Sequence, residues 1–144
     1  MAIARTDEIA SARFAAVLNY VEEHLDGELS LADLASLVSL SVTHFAHQFR
    51  IMYGMAPYRY VMLRRIERAR RLLRTTESTI TSIACEVGFS SQSRFTGAFA
   101  RVVGCTPSMY RTSLRIGAHQ ARNSDRHDQV LFRTGNLLVF SVPR

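Results

Sequence analysis

Lysine is absent from this 144-residue chain: all 18 basic residues are arginine. Arginine suits bidentate contacts with phosphate and guanine, although a compositional bias of the source genome gives the same result and comes first as an explanation. Cysteine is nearly absent. Cys85 and Cys105 are too few for a disulfide framework or a cysteine-rich zinc site, which leaves two small thiols, with a redox-sensing pair as the sharper alternative. No apolar run approaches the ~20 residues that span a bilayer, so no membrane partner is expected. The N-terminus turns acidic at Asp7 and Glu8, too early for a secretory signal, and the expected location is the cytoplasm.

Catalytic signatures are missing as well. There is no Gly-x-Ser-x-Gly elbow, no glycine-rich phosphate loop and no His-Glu-x-x-His motif, so neither an enzyme nor a cofactor is expected. His44 and His47 stand three residues apart and would face one side of a helix. A metal pair is the weaker reading of them, because His47 falls on a face that suits another role.

Charge is present and unevenly placed. Residues 1–40 carry two basic against seven acidic side chains, a net of −5, whereas residues 41–115 carry twelve against three, a net of +9. A basic body of this kind is the electrostatic footprint of a polyanion partner.

One motif occurs twice. Ser30-Leu31-Ala32-Asp33-Leu34-Ala35, then Leu40-Ser41, Phe45, Phe49, Gly54 and Pro57, is matched by Thr79-Ile80-Thr81-Ser82-Ile83-Ala84, then Phe89-Ser90, Phe95, Phe99, Gly104 and Pro107. The offset is 49 before the turn and 50 after it, so the second turn holds one extra residue. Each copy reads as a helix-turn-helix, and the expected fold class is all-α: two helix-turn-helix lobes joined by a long linker helix.

Hydrophobic periodicity divides the chain into 7–56 (an N-terminal helix and the first motif), 57–74 (the linker helix), 75–113 (the second motif) and a tail at 114–144. The first helix spans 7–26, capped by Thr6 and ended by Gly27. Residues 31–38 make a short helix that buries Leu31, Leu34, Leu37 and Val38, with Leu40 plugging the turn. The recognition helix at 42–53 buries Phe45, Phe49 and Met52 and turns Thr43, Ala46, His47 and Arg50 outward, where they suit base edges and phosphates. The linker helix buries Tyr60, Leu63, Ile66, Ala69 and Leu73, and its remaining arginines form either a solvated face or, at Arg64 and Arg65, contacts to a DNA backbone.

In the second copy, 80–87 repeats the short helix and 91–103 the recognition helix. Phe95, Phe99 and Val102 point inward, while Gln92, Ser93, Thr96 and Gly97 point outward, flanked by Arg94 and Arg101. Gln92 is the best base reader, because its amide pairs bidentately with adenine. A last helix runs from Pro107 to about Thr112. Residues 116–128 read as irregular, and 129–142 as a β-hairpin around Arg133-Thr134-Gly135-Asn136, serving as a dimer edge or as a lid over a small-molecule effector.

Residues 14–111 resemble the DNA-binding domain of the AraC/XylS family of transcription regulators. The resemblance is carried by Ile83-Ala84-Cys85-Glu86-Val87-Gly88-Phe89-Ser90-Ser91-Gln92-Ser93-Arg94-Phe95, by Gly104-Cys105-Thr106-Pro107-Ser108-Met109-Tyr110-Arg111, and by the linker run Arg65-Ile66-Glu67-Arg68-Ala69-Arg70-Arg71-Leu72-Leu73. It implies that the two recognition helices enter successive major grooves of duplex DNA. It carries base contact onto Thr43, Ala46, His47, Gln92, Ser93 and Gly97, and leaves Arg50, Arg64, Arg65, Arg94, Thr96 and Arg101 for backbone or mixed contacts. It also implies a short, stand-alone regulator, an activator that contacts RNA polymerase rather than a repressor. Where the family often has a long side chain, this chain has Ala46 in the first lobe and Gly97 in the second, which weakens direct readout at both points, and with Gly97 the second lobe is expected to read fewer positions.

Overall fold

The computed structural model describes residues 2–120, with side chains described over residues 8–118, and forms seven helices with no strand among the described residues. They are α1 (Ala2–Glu23), α2 (Leu31–Leu37), α3 (Val42–Tyr53), α4 (Pro57–Thr75), α5 (Ile80–Glu86), α6 (Gln92–Val103) and α7 (Pro107–Gln120). The expected all-α class holds. The hairpin expected at 129–142 lies outside the described residues.

The helix starts of both motifs are set by side-chain caps, which satisfy amide groups that have no partner within the helix. Ser30 accepts from the Asp33 amide at 3.0 Å and donates to the Asp33 carboxylate at 2.6 Å. Thr79 accepts from the Ser82 amide at 3.1 Å. Ser41 accepts from the His44 amide at 3.3 Å, and Ser91 from the Arg94 amide at 3.2 Å. Both recognition helices end on a left-handed glycine, Gly54 at φ 71° and Gly104 at φ 89°, a conformation that costs glycine little.

Two separate cores follow from the repeat. The first gathers Phe14, Val17, Val21 and Leu25 of α1 and its following turn with Leu34, Ala35, Val38, Phe45, Phe49 and Val61. The second gathers Ile66, Ala69, Leu73, Ile83, Ala84, Val87, Phe95, Ala98, Phe99 and Tyr110. Equivalent aromatics pack alike. The Phe45 and Phe49 rings are 5.7 Å apart at 58°, and the Phe95 and Phe99 rings 5.6 Å apart at 63°. Helix α4 belongs to both cores, contributing Val61 to the first and Ile66 onward to the second.

Several sequence expectations change. Helix α1 begins at Ala2, so Thr6 lies inside it, and it ends at Glu23 before a turn through Asp26. Helix α2 is under two turns long and buries one stripe, Leu34 and Ala35 followed by Val38; Leu31 and Leu37 are 36% and 45% exposed. On α4, Val61 is buried and Leu63 only half-buried. On α6, Ala98 is buried, and Val102 is 40% exposed on the wall of an open groove against α4. Helix α7 continues past Thr112 to Gln120, through residues read as irregular.

Candidate nucleic-acid interface

With Phe45 and Phe49 fully buried, helical geometry turns the opposite side of α3 to solvent. Thr43, His47 and Arg50 are exposed there and Ala46 is half-buried. The equivalent face of α6 exposes Gln92, Ser93, Arg94, Gly97 and Arg101, with Thr96 half-buried. A groove of about 890 Å³ separates α6 from the start of α4. Ser93, Arg94, Gly97 and Arg101 line one wall, and Tyr58, Arg59 and Met62 the other. Arg59, exposed in the first turn of α4, was not singled out by the sequence, because nothing in the α4 pattern distinguishes it from the other arginines.

Two further side chains alter how the surface reads. The Thr81 hydroxyl on α5 donates to Gln92 Oε1, so the amide of the expected base reader is already oriented from the neighbouring helix. This contact spans eleven residues, and no periodic pattern signals it. Gly97 stands in the middle of α6, and a Cβ built on it meets nothing within 4 Å. Packing therefore does not require glycine there.

Arg64 and Arg65 are half-buried and bonded to the end of the first lobe's opening helix, and Arg65 also lines the groove beside α6. Arg64 Nε and Nη2 both bond the Glu22 carboxylate, the second at 3.1 Å. That hydrogen bond raises the Arg64 pKa against the opposing effect of burial. Arg65 Nε donates to the Leu25 carbonyl at 3.0 Å and Nη2 to the Gly27 carbonyl at 2.5 Å. Burial pushes the Arg65 pKa down. Both guanidinium groups, read from the sequence as contacts to a DNA backbone, are thus engaged with the end of α1. Arg70 lies over the Tyr110 ring at 5.7 Å and bonds Glu67 at 2.9 Å. Exposed arginines at 50, 59, 71, 74, 94 and 101 remain.

Among the described residues no group of three or more His, Cys, Asp or Glu side chains is placed to hold a metal. His44 instead lies 3.5 Å from the Gln48 amide. Cys85 is exposed and Cys105 half-buried, and both are free thiols. No described helix is long and apolar enough to cross a membrane.

The twin motifs on a shared helix define a class: two-lobed helix-turn-helix domains of the kind found in transcription regulators. A family model described as a helix-turn-helix domain matches residues 34–113. The chain is similar to the DNA-binding domain of AdpA, solved in complex with a target DNA, at 31% identity and TM-score 0.70, covering 74% of this chain and 96% of that one. It is also similar to a regulator from Chromobacterium violaceum described as AraC-type, at 27% identity and TM-score 0.68, covering 73% of this chain and 94% of that one. The transcriptional regulator ExsA of Pseudomonas aeruginosa is 39% identical over 92 residues, 64% of this chain and 33% of ExsA. The virulence regulon transcriptional activator VirF of Yersinia enterocolitica is 38% identical over 92 residues, 64% of this chain and 34% of VirF. The chain belongs to the AraC/XylS family. It spans about a third of the length of these curated relatives.

Proposed function

We propose that this chain binds duplex DNA sequence-specifically, placing α3 and α6 in successive major grooves, and that it activates transcription. The carrying observation is the pair of equivalent helices, each held by two buried phenylalanines and each exposing small, polar and arginine side chains on its outer face. The likeness to a domain solved on its target DNA supports the same use of that surface. Thr43, Ala46, His47, Gln92, Ser93 and Gly97 are assigned to base edges, and Arg50, Arg94, Thr96 and Arg101 to the backbone or to mixed contacts. Arg59 joins them as a backbone contact from across the groove, while the guanidinium groups of Arg64 and Arg65 are already engaged with Glu22, Leu25 and Gly27. Activation, with RNA polymerase as partner, is supported by the resemblance to VirF.

Selection of bound duplexes from a random pool tests this reading. The expected outcome is a protected site of about two helical turns, without dyad symmetry, read by a monomer. Four arginines at phosphates imply a log K against log salt slope of about −3.6, or roughly a hundredfold loss between 50 and 200 mM salt. A flat salt dependence rejects the arginine–phosphate contacts, and recovery of unrelated sequences rejects sequence-specific binding. Run-off transcription from a selected site, with and without the protein, separates activation from repression.

A further inference from the structure

The two helix-turn-helix turns hold equivalent residues in the same backbone conformation but with different side chains. Ser39 in the first turn has φ 56°, and Gly88 in the second has φ 80°. A serine therefore meets the left-handed requirement in the first copy, and backbone conformation alone does not explain a glycine in the second. The difference lies in what sits above the Cα. A Cβ built on Gly88 falls 2.3 Å from the Leu25 carbonyl oxygen and 2.8 Å from the Arg65 guanidinium carbon.

Those groups come from three parts of the molecule. Leu25 belongs to the turn after α1 in the first lobe, and Gly88 to the motif turn of the second. Arg65 stands on α4 between Val61, which faces the first core, and Ile66, which faces the second. Its guanidinium bonds two carbonyls of the first lobe, Leu25 at 3.0 Å and Gly27 at 2.5 Å, and its Cζ and Nη2 lie against the Cβ position of Gly88 in the second. Leu25 and Gly27 lie in the turn just past α1, near the negative end of its dipole, which favours a cation. A single helix shared by two cores leaves the angle between the lobes to the stiffness of that helix. A second point of contact off the helix axis constrains that angle further.

We propose that Arg65, the bare backbone of Gly88 and the Leu25–Gly27 turn form a latch between the lobes, fixing the angle between α3 and α6 and hence the half-site spacing the protein accepts. Arg65 is then a positioning residue that touches no DNA. The spacing consequence rests on the two-groove reading above; the angular one does not. Lysine cannot replace arginine fully, because it lacks the planar fork that reaches two carbonyls at once.

Two measurements on the full chain test the latch. Spin labels at Ile51→Cys and Val102→Cys, exposed positions on α3 and α6, are introduced with Cys85→Ser and Cys105→Ser, and the interlobe distance distribution is read without DNA. The distribution is expected to be narrow with Arg65, broad in Arg65→Met and intermediate in Arg65→Lys. Equal widths in all three, or a broad distribution with Arg65 present, overturn the latch.

Binding is then measured on selected duplexes with one or two base pairs inserted between the half-sites; two base pairs rotate one half-site by about a fifth of a turn. Wild type is expected to lose at least about tenfold in affinity, and Arg65→Met about threefold or less, since a looser protein follows the rotated site. No spacing dependence in wild type rejects the two-groove reading, while the distance distributions still decide the latch. If Arg65→Met loses its helical circular dichroism, Gly88→Ser takes its place. That variant copies the first turn, where Ser39 shows that serine can adopt the left-handed conformation, and its added Cβ must displace the Leu25 carbonyl. An unchanged distance distribution in folded Gly88→Ser overturns the proposal.

Discussion

At the level of single residues, the second recognition helix depends on how its first side chain is held. A glutamine free in solvent samples many rotamers, and ordering them on binding costs entropy. The Thr81 hydroxyl holds Gln92 Oε1 before DNA arrives, leaving the amide hydrogens and the other oxygen lone pair for a base. For Gln92→Ala the expected loss is about 1–3 kcal/mol, confined to one or two base pairs. Thr81→Val keeps the side-chain shape and removes the donor; it should cost about 0.5–1.5 kcal/mol at those same base pairs. Binding to a complete set of single-base variants of the site measures both. A uniform loss across all duplexes would show Gln92 to be a backbone contact and the Thr81 bond irrelevant to reading.

At the level of elements, α6 carries a local conflict. Glycine within a helix costs about 1 kcal/mol relative to alanine, and no neighbour crowds Gly97. Gly97→Ala should therefore raise stability in urea by roughly 0.5–1 kcal/mol, with an unchanged denaturant slope. Unchanged or lower stability would mean that the helix face is less open than its geometry shows. DNA affinity in the same variant then separates close approach of the backbone, which an added methyl weakens, from a position that reads nothing. Elements of this kind were largely legible in the sequence, because their signals are local. The limits of α3 follow from Ser41, two buried phenylalanines and Gly54, all within fourteen residues. Features set by a distant partner were not legible. Val102 repeats the apolar spacing of Phe95 and Phe99, yet α4 leaves an open groove beside it. Arg64 and Arg65 look like any exposed arginine pair until the fold brings them to Glu22, Leu25 and Gly27, some forty residues away. The site faces on α3 and α6 followed from periodicity, whereas the Thr81 bond and the position of Arg59 required the packing.

At the level of the whole molecule, the question is whether two cores that share one helix behave as one unit. The ten buried residues of each core form separate clusters, and the change from one to the other falls between Val61 and Ile66. Among the described residues, the continuous backbone of α4, the Arg64–Glu22 pair and the Arg65 node join them. The node consists of hydrogen bonds from a half-buried arginine, and such bonds contribute only a few kcal/mol in total. That is enough to set an angle and too little to make one lobe unfold with the other. A core truncation in the first lobe should therefore remain local. Phe45→Ala removes a fully buried ring that stacks on Phe14 at 5.7 Å, and should destabilise that lobe by about 3–5 kcal/mol. Under native conditions, amide exchange in α1, α2 and α3 should accelerate by about a hundredfold or more, since each 1.4 kcal/mol is a factor of ten. Exchange at Ile83, Ala84, Phe95 and Phe99 should change by less than about threefold, because the second core keeps all its contacts. Equal acceleration in both lobes would show that α4 makes them a single cooperative unit, and would require far stronger coupling through the linker than these few hydrogen bonds supply.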